Sequence, residues 1–168
     1  MKNIIVPFVS ACLFLSACSM DEIPQASVDK ETVFSNEKGL ETYSYSFYNM
    51  LPSVTDGYSK DAMCDYGAVT NYDDFIRAGA YSPEVSSGWS WTDLRNINYF
   101  IENCTNDAVD ESIRNNYIGL ARFFRAYFYY KKVVRFGDVP WIDRTLTVDD
   151  ELLYAPRDSR TIVMDQVL

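Results

Sequence analysis

Apolar side chains recur every three or four residues between Ser35 and Pro52, which is the spacing of one helix face. Ser35 can cap this helix by accepting a hydrogen bond from its first turn, and Pro52 ends it because proline has no N–H to donate. The pattern therefore predicts a first helix whose inner face comprises Leu40, Tyr43, Phe47, Met50 and Leu51.

A second helix is predicted from about Thr92 to Cys104, because apolar residues stand at positions 94, 97, 101 and 104. Residues 53–90, which precede it, show no sustained periodicity and are rich in Gly, Ser, Asp and Tyr. They predict a long irregular region with room for short helical turns, and loops of this length often carry binding residues.

The longest predicted helix extends from its capping residue Asp110 to about Phe136, and Gly137 supplies the stop. Its apolar side chains cover an arc of about 180°, whereas a surface helix needs only about 100°. We expect this arc to be core, packed between at least two neighbouring elements. It comprises Val133, Ala126, Tyr130, Phe123, Val134, Tyr127, Leu120 and Phe124. Outside it lie Arg122, Arg125, Lys132, Arg135, Tyr129, Phe128 and Ala121.

A last helix is predicted to begin after Ser159, which can cap it. The sequence stops about two and a half turns later, without a C-terminal stop signal. We therefore expect the chain to be the front part of a longer polypeptide.

The first 18 residues have the pattern of a lipoprotein signal. Lys2 gives a positive start, and an apolar run of roughly a dozen residues follows, too short to span a membrane. The run ends in Leu15-Ser16-Ala17-Cys18, which is similar to the lipobox at which bacterial lipoproteins are cleaved and lipidated. We expect residues 1–17 to be removed and Cys18 to carry the lipid. An ordinary secretory signal that ends at Ser16-Ala17 is the alternative.

Residues 18–30 are polar and contain Pro24, which is typical of a tether. Asp21 and Glu22 follow the expected lipidation site closely. An acidic pair at this place resembles the export signal of lipoproteins that reach the outer cell face, although a solvated linker has the same composition.

Composition excludes several kinds of chemistry. A net charge of −9 repels phosphate backbones, so no nucleic-acid partner is expected. The chain has no His, which removes His-based catalytic triads and His metal sites. It has 13 Tyr, a residue suited to surfaces that need an apolar ring with a polar tip.

The remaining carboxylates and cysteines do not predict a catalytic or metal site. The adjacent carboxylates of residues 73–74 and 149–151 do not suit a glycosidase, which needs two carboxylates about 5–10 Å apart across a cleft. Residues 56–61 lack the ligand order of a calcium loop, so no metal or cofactor is expected. Cys64 and Cys104 could pair outside the inner membrane, but the sequence does not fix their register, and the pairing stays open.

The segment GLARFFRAYFYYKKVVRFGDVPWI resembles the signature of the SusD/RagB family, in which an Arg-Ala-Tyr helix leads into a Gly-Asp-Val-Pro turn. The matching residues are Gly119, Ala121, Phe123, Arg125, Ala126, Tyr127, Tyr129, Val133, Phe136, Gly137, Asp138, Val139 and Pro140. Leu120 and Phe124 depart from the usual Glu and Leu. Further matches are Trp91, Leu94, Ile97, Asn98, Phe100, Ile101 and Glu102 upstream, and Pro156, Arg157 and Ser159 downstream.

This resemblance implies an all-α fold of tetratricopeptide-like helix pairs with long irregular loops, in an incomplete domain over residues 31–168. It also implies a non-catalytic lipoprotein on the outer face of the outer membrane. Such a protein binds an oligosaccharide, or less often a peptide or another nutrient, and delivers it to a SusC-like TonB-dependent transporter. A surface-anchored glycoside hydrolase, a peptide-binding member of the family and a poorly folded truncated product are the alternatives.

Sugar capture needs flat rings and planar polar groups, and the irregular region supplies both. The resemblance gives no contact residues one by one, because the ligand loops of the family vary most. Trp91 matches the tryptophan at the family's helix start and is expected in the core. The candidate ligand contacts are Trp89, Tyr72, Asn71, Asp73, Arg77 and Tyr81.

Overall fold

The computed structural model of the chain describes residues 29–61, 64, 67, 70, 76–79, 82 and 87–167. Its helices are α1 (Lys30–Phe34), α2 (Glu37–Ser44), α3 (Val54–Asp61), α4 (Thr92–Asn103), α5 (Glu111–Phe136) and α6 (Arg160–Val167), with 3-10 helices at Tyr45–Met50 and Glu151–Tyr154. Within these residues there is no β-strand, and one isolated bridge pairs Val139 with Asp158. The predicted all-α fold class is confirmed.

The central helices α4 and α5 begin and end close to the predicted residues. The Asp110 carboxylate caps α5 by accepting a hydrogen bond from the Ser112 N–H at 2.8 Å. Gly137 ends α5 with a φ of +71°, a backbone conformation that glycine adopts without strain. Its N–H donates to the Val133 carbonyl oxygen at 2.9 Å, which satisfies one group of the last turn.

The predicted first helix is interrupted, and its predicted cap is wrong. Ser35 ends α1, whereas Asn36 caps α2 by accepting a hydrogen bond from the Gly39 N–H at 2.8 Å. The Asn36 amide also donates to the Thr32 carbonyl oxygen at 2.9 Å. An amide carries an acceptor and donors on one planar group, which suits a position between two helices. The last predicted turn tightens into the first 3-10 helix before Pro52.

The core forms where α4 packs against α5 beside the first 3-10 helix. Phe47 of the 3-10 helix lies 5.4 Å from Phe100 of α4 and 5.9 Å from Phe124 of α5, measured between ring centroids. Leu94 belongs to the same buried cluster. Each such buried side chain stabilises the fold by about 1.5–3 kcal/mol. The predicted inner face of the first helix is largely confirmed, with Leu51 exposed as the exception.

The predicted core face of α5 is wrong in part. Leu120, Tyr127 and Val133 of the predicted arc are half-buried and pack against the core. Phe123, Tyr130 and Val134 belong to the predicted arc, yet they are 59%, 55% and 68% exposed. Phe124 is the member of that arc that is fully buried. Most of the buried positions lie on the side that was predicted to be outside, and the set comprises Ala121, Phe124, Phe128, Tyr129 and Lys132.

The physical reason is that α5 carries apolar residues on both sides, so periodicity alone cannot show which side meets α4. Two basic side chains lie on the packed side because their stems are apolar and their charged heads reach backbone carbonyls. The Lys132 ammonium donates to the Gly88 carbonyl oxygen, and the Arg125 guanidinium donates to that of Asp143 at 3.3 Å. The centre of the opposite apolar side, at Phe123, Tyr130 and Val134, remains in contact with solvent.

Side chains of the two central helices bind the backbone of the irregular segment 139–145. The Tyr129 hydroxyl accepts a hydrogen bond from the Ile142 N–H at 2.7 Å and donates to the Ile142 carbonyl oxygen at 3.1 Å. The Asn98 amide, which is fully buried, donates to the carbonyl oxygens of Ile142 and Arg144 at 3.1 Å each. These hydrogen bonds take the place of the backbone hydrogen bonds that a neighbouring β-strand would provide.

Two carboxylates complete the anchoring of this segment. Asp158 accepts a hydrogen bond from the Trp141 N–H at 2.8 Å, and Glu102 accepts one from the Thr145 N–H at 2.6 Å. The Trp141 ring also packs on the Tyr129 ring, with centroids 4.5 Å apart. The segment is therefore held by α4, by α5 and by the chain that enters α6.

We expect Tyr129→Phe to lower the free energy of unfolding by about 1–3 kcal/mol, because it removes both hydrogen bonds to Ile142 and leaves those backbone groups without this partner. Chemical denaturation of the full chain, followed by circular dichroism, measures the difference. Tyr130→Phe is the matched control, since Tyr130 is the next residue of α5 and is 55% exposed. Its free energy of unfolding should stay within about 0.5 kcal/mol of wild type. Equal losses in the two variants would contradict the role given to the Tyr129 hydroxyl.

The same variant tests the protonation of Tyr129. Burial raises the pKa of the Tyr129 hydroxyl above its ordinary value of 10.0. In the unfolded chain the phenol loses its proton near pH 10, whereas the folded chain keeps the proton to higher pH. The contribution of Tyr129 to stability is therefore complete below about pH 10 and is lost as pH rises through the folded-state pKa.

The gap in free energy of unfolding between wild type and Tyr129→Phe should be constant below about pH 9 and should shrink above about pH 10, by at most about 1.4 kcal/mol per pH unit. Tyr43, whose pKa burial raises to about 12, affects both proteins equally and cancels in the difference. Denaturation curves across this pH range give the gap, and a gap unchanged at about pH 11 would refute the expectation.

Candidate functional site

The structure describes two of the predicted ligand contacts. Trp89 lies just before α4 and is 40% exposed. Arg77 is exposed in a short turn at residues 76–79. Outside the described residues lie the other predicted positions, which are Asn71, Tyr72, Asp73, Tyr81 and the expected lipidation residue Cys18. Trp89 is therefore the predicted contact around which the structure defines a site.

A cavity of about 530 Å³ opens beside Trp89. It lies among the start of α4, the segment after α5, the second 3-10 helix and the chain that leads into α6. Its volume falls within the ~300–1,000 Å³ of typical small-ligand pockets. Its lining includes Trp89, Leu94, Arg95, Ile142, Leu153 and Arg157.

Trp89 packs on other aromatic rings and keeps part of its own ring open to solvent. Its ring centroid lies 5.3 Å from that of Trp91 and 4.8 Å from that of Phe136, both in T-shaped arrangements. The Arg157 guanidinium lies over the indole, with Cζ 4.6 Å from the ring centroid. Trp91 packs in turn on Phe128 at 5.5 Å and is half-buried against the core, in line with its expected place.

Gly88 and Lys132 fix the backbone that carries Trp89. Gly88 has a φ of +94°, which favours glycine, and a Cβ there would come within 3.3 Å of the Arg135 guanidinium carbon. The Lys132 ammonium donates a hydrogen bond to the Gly88 carbonyl oxygen. The loop before α4 is therefore tied directly to α5.

The Lys132 ammonium is surrounded by aromatic rings. Its nitrogen lies 4.9 Å from the Phe128 ring centroid, 5.4 Å from that of Trp91 and 5.7 Å from that of Phe136. Burial lowers the pKa of Lys132 because the charged form loses water, while the nearby Asp93 carboxylate acts in the opposite direction. The faces of the rings replace part of that lost hydration through cation–π attraction.

The electrostatics of the cavity are set by arginines. Arg95, Arg144 and Arg157 line it, and none of its described lining residues is Asp or Glu. Arg144 donates to both carboxylate oxygens of Asp150, and this hydrogen bonding raises the pKa of Arg144 and lowers that of Asp150. Among the described residues, Arg95 and Arg157 have no carboxylate partner. The described wall of the cavity is thus positive, on a chain whose net charge is −9.

The arrangement suits a ligand that has both flat apolar faces and many hydroxyl groups. The exposed part of Trp89 offers a flat surface, leucines form an apolar wall, and guanidinium groups supply planar sets of donors. In the described part of the chain, no group of three His, Cys, Asp or Glu residues could hold a metal ion.

The remaining candidate chemistry has structural explanations. Asp150 binds Arg144 and also caps the second 3-10 helix by accepting a hydrogen bond from the Leu152 N–H at 3.0 Å. Cys64 is exposed and Cys104 is buried, and both are free thiols. The pairing that the sequence left open is therefore not formed in this structure.

Sequence reasoning missed the arginines of the cavity. Arg95 follows Trp91 by four residues, and this spacing places the two on one side of α4, so helical periodicity could have marked it. Arg157 belongs to the matched Pro-Arg-x-Ser helix entry, which gives no indication of a contact with Trp89. Arg144 lies in a segment without periodicity, where no local pattern was available.

Comparison with known proteins identifies a family. The model of the SusD-like family described as "Starch-binding associating with outer membrane" matches residues 31–168, which is most of the chain. Neither a curated protein nor a solved structure gives a match. Among the described helices, none combines the length and the hydropathy that crossing a bilayer requires.

Proposed function

The chain belongs to the SusD-like family, and from this premise we propose that it is a cell-surface lipoprotein that binds a glycan and delivers it to a SusC-like TonB-dependent transporter. The family is described as starch-binding and associated with the outer membrane. The proposal extends that description to this chain, its anchor and its partner.

The cavity beside Trp89 is the observation that carries the binding proposal. A pyranose ring presents apolar C–H groups on its faces and hydroxyl groups at its edge. The 40% exposed indole suits the face of such a sugar, while Arg95 and Arg157 suit its hydroxyl oxygens. The predicted contacts Asn71, Tyr72, Asp73, Arg77 and Tyr81 would add to this site from the irregular region.

The proposed anchor is the lipid on Cys18, with residues 18–30 as the polar tether. Each buried CH₂ of an acyl chain contributes about 0.8 kcal/mol, so several chains on one residue hold a protein firmly at a membrane. We place the domain at the exterior of the outer membrane, where it would meet glycans before they reach the transporter.

We propose binding without catalysis. A surface glycoside hydrolase would need two carboxylates facing the ligand, and the described lining of the cavity contains neither Asp nor Glu. Asp150, which lies beside the cavity-lining Arg144, is engaged by it in an ion pair. A delivery role also favours reversible capture, because the ligand must leave the cavity intact to enter the transporter.

We expect Trp89→Ala to weaken glycan binding by about tenfold or more, because loss of a stacking contact of about 1.4 kcal/mol corresponds to that factor. Isothermal titration of the full chain in detergent, with malto-oligosaccharides and a panel of other soluble glycans, measures the affinity. Tyr130→Ala is the matched control, since Tyr130 is an exposed ring of α5 outside the cavity lining. Wild-type affinity in a folded Trp89→Ala variant, or no glycan binding by wild type, would contradict the proposal.

We expect Cys18→Ala to release the protein from the membrane, because no thiol remains to carry the lipid at the lipobox position. Wild type should fractionate with membranes and require detergent for extraction, whereas Cys18→Ala should appear in the soluble fraction. Cys64→Ala is the control, because Cys64 is an exposed thiol of the folded domain and should leave the anchoring unchanged. Membrane retention of Cys18→Ala through a high-salt wash would refute the anchor.

A further inference from the structure

We infer that the cavity beside Trp89 takes an acidic oligosaccharide, whose sugars carry carboxylate or sulfate groups. This inference rests on the proposed function, since it specifies the class of glycan that the same cavity would bind.

The first argument is the unbalanced charge of the cavity wall. Asp150 neutralises Arg144, but Arg95 and Arg157 are exposed and have no carboxylate partner in the described part of the chain. On a chain of net charge −9, acidic side chains are plentiful. Two arginines that lack a carboxylate partner among the described residues, on a partly apolar wall, are suited to an anion that arrives with the ligand.

The second argument is that positive charge continues on the other side of Gly88. A neighbouring cavity of about 320 Å³ is lined there by Lys131, Lys132 and Arg135, with Asp93 as the one acidic residue of its described lining. A ligand longer than one sugar that passes Trp89 would meet cationic groups on both sides of the loop. A charged polysaccharide repeats its anionic groups along its length, which matches this distribution.

The third argument is the position of Arg157 over the indole. Its Cζ lies 4.6 Å from the Trp89 ring centroid, so the guanidinium stands next to the ring on which a sugar would pack. Contact with the ring limits the orientations of the side chain, and its planar fork can bind a carboxylate or sulfate through two parallel hydrogen bonds. A neutral sugar offers no charge to this group, whereas a uronic acid or a sulfated sugar does.

The test compares ligands that share the same sugars and differ in whether their carboxyl groups are charged. The full chain in detergent is titrated with an oligogalacturonide and with the same oligosaccharide after methyl esterification, which keeps the sugar and removes the charge. We expect the acid to bind at least about tenfold more tightly than the ester at low salt, because charge-assisted hydrogen bonds are roughly twice as strong as neutral ones. The preference should shrink as salt is added, because the interacting groups are exposed.

Variants of the cavity arginines test whether the preference for the acidic oligosaccharide arises in this cavity. Arg95→Gln and Arg157→Gln should each weaken binding of the acid several-fold more than binding of the ester, so that the preference for acid over ester falls. Arg122→Gln is the matched control, since Arg122 is an exposed arginine of α5 that lines a different cavity, between α5 and α6. It should keep the full preference.

The outcomes separate this inference from the proposed function. Binding of ester and acid with equal affinity, or a preference that survives in both cavity variants, overturns the acidic specificity and leaves glycan binding intact. Failure of wild type to bind any oligosaccharide overturns both. Oligoglutamate that binds as tightly as the galacturonide would refute the saccharide and favour an acidic peptide.

Discussion

The irregular segment 139–145, which follows α5, lies against the core without a neighbouring β-strand, among the described residues, to bind its N–H and C=O groups. The rest of the site depends on which other groups form those hydrogen bonds. Tyr129 and Asn98, both fully buried, hold its N–H and C=O groups from the two central helices. An unpaired backbone group in this place would cost about 1–3 kcal/mol. These two side chains therefore fix the wall of the cavity as much as they stabilise the core.

The long helix α5 links this wall to the loop that carries Trp89. Its packed side mixes large rings with the stems of Arg125 and Lys132, whose heads bind backbone carbonyls of the segment after α5 and of the loop before α4. One helix thus positions both sides of the cavity. The charge of Lys132 is tolerated in this setting because a carbonyl oxygen and three ring faces replace its lost water.

Local chemistry made the ends of α4 and α5 predictable. Asp110 and Gly137 act within one turn of the backbone, so the limits of α5 could be inferred from neighbouring residues alone. The family could likewise be identified from a contiguous pattern around the Gly-Asp-Val-Pro turn. The choice of Asn36 over Ser35 as a cap was not predictable, because it depends on a second hydrogen bond to the preceding helix.

The packed side of α5 and the arginines of the cavity could not be inferred in this way, because both depend on contacts distant in sequence. Phe123 and Phe128 are equally apolar, and only the position of α4 decides which is buried. Trp89 was predicted as a contact because the sequence itself shows an aromatic ring in a polar loop. The role of Arg157 follows from its contact with that ring, which only the structure shows. The other predicted contacts, at positions 71–73 and 81, lie outside the described residues and stay predictions.

The anchoring of the segment after α5 also bears on how the protein can diversify. Tyr129, Asn98 and Glu102 bind main-chain atoms of residues 142, 144 and 145, and every amino acid except proline offers the same N–H and C=O groups. Exchange of residue 142 or 144 therefore leaves these main-chain hydrogen bonds in place. A lineage, or an engineer, could retune what this recess recognises at those positions and leave the helical frame untouched.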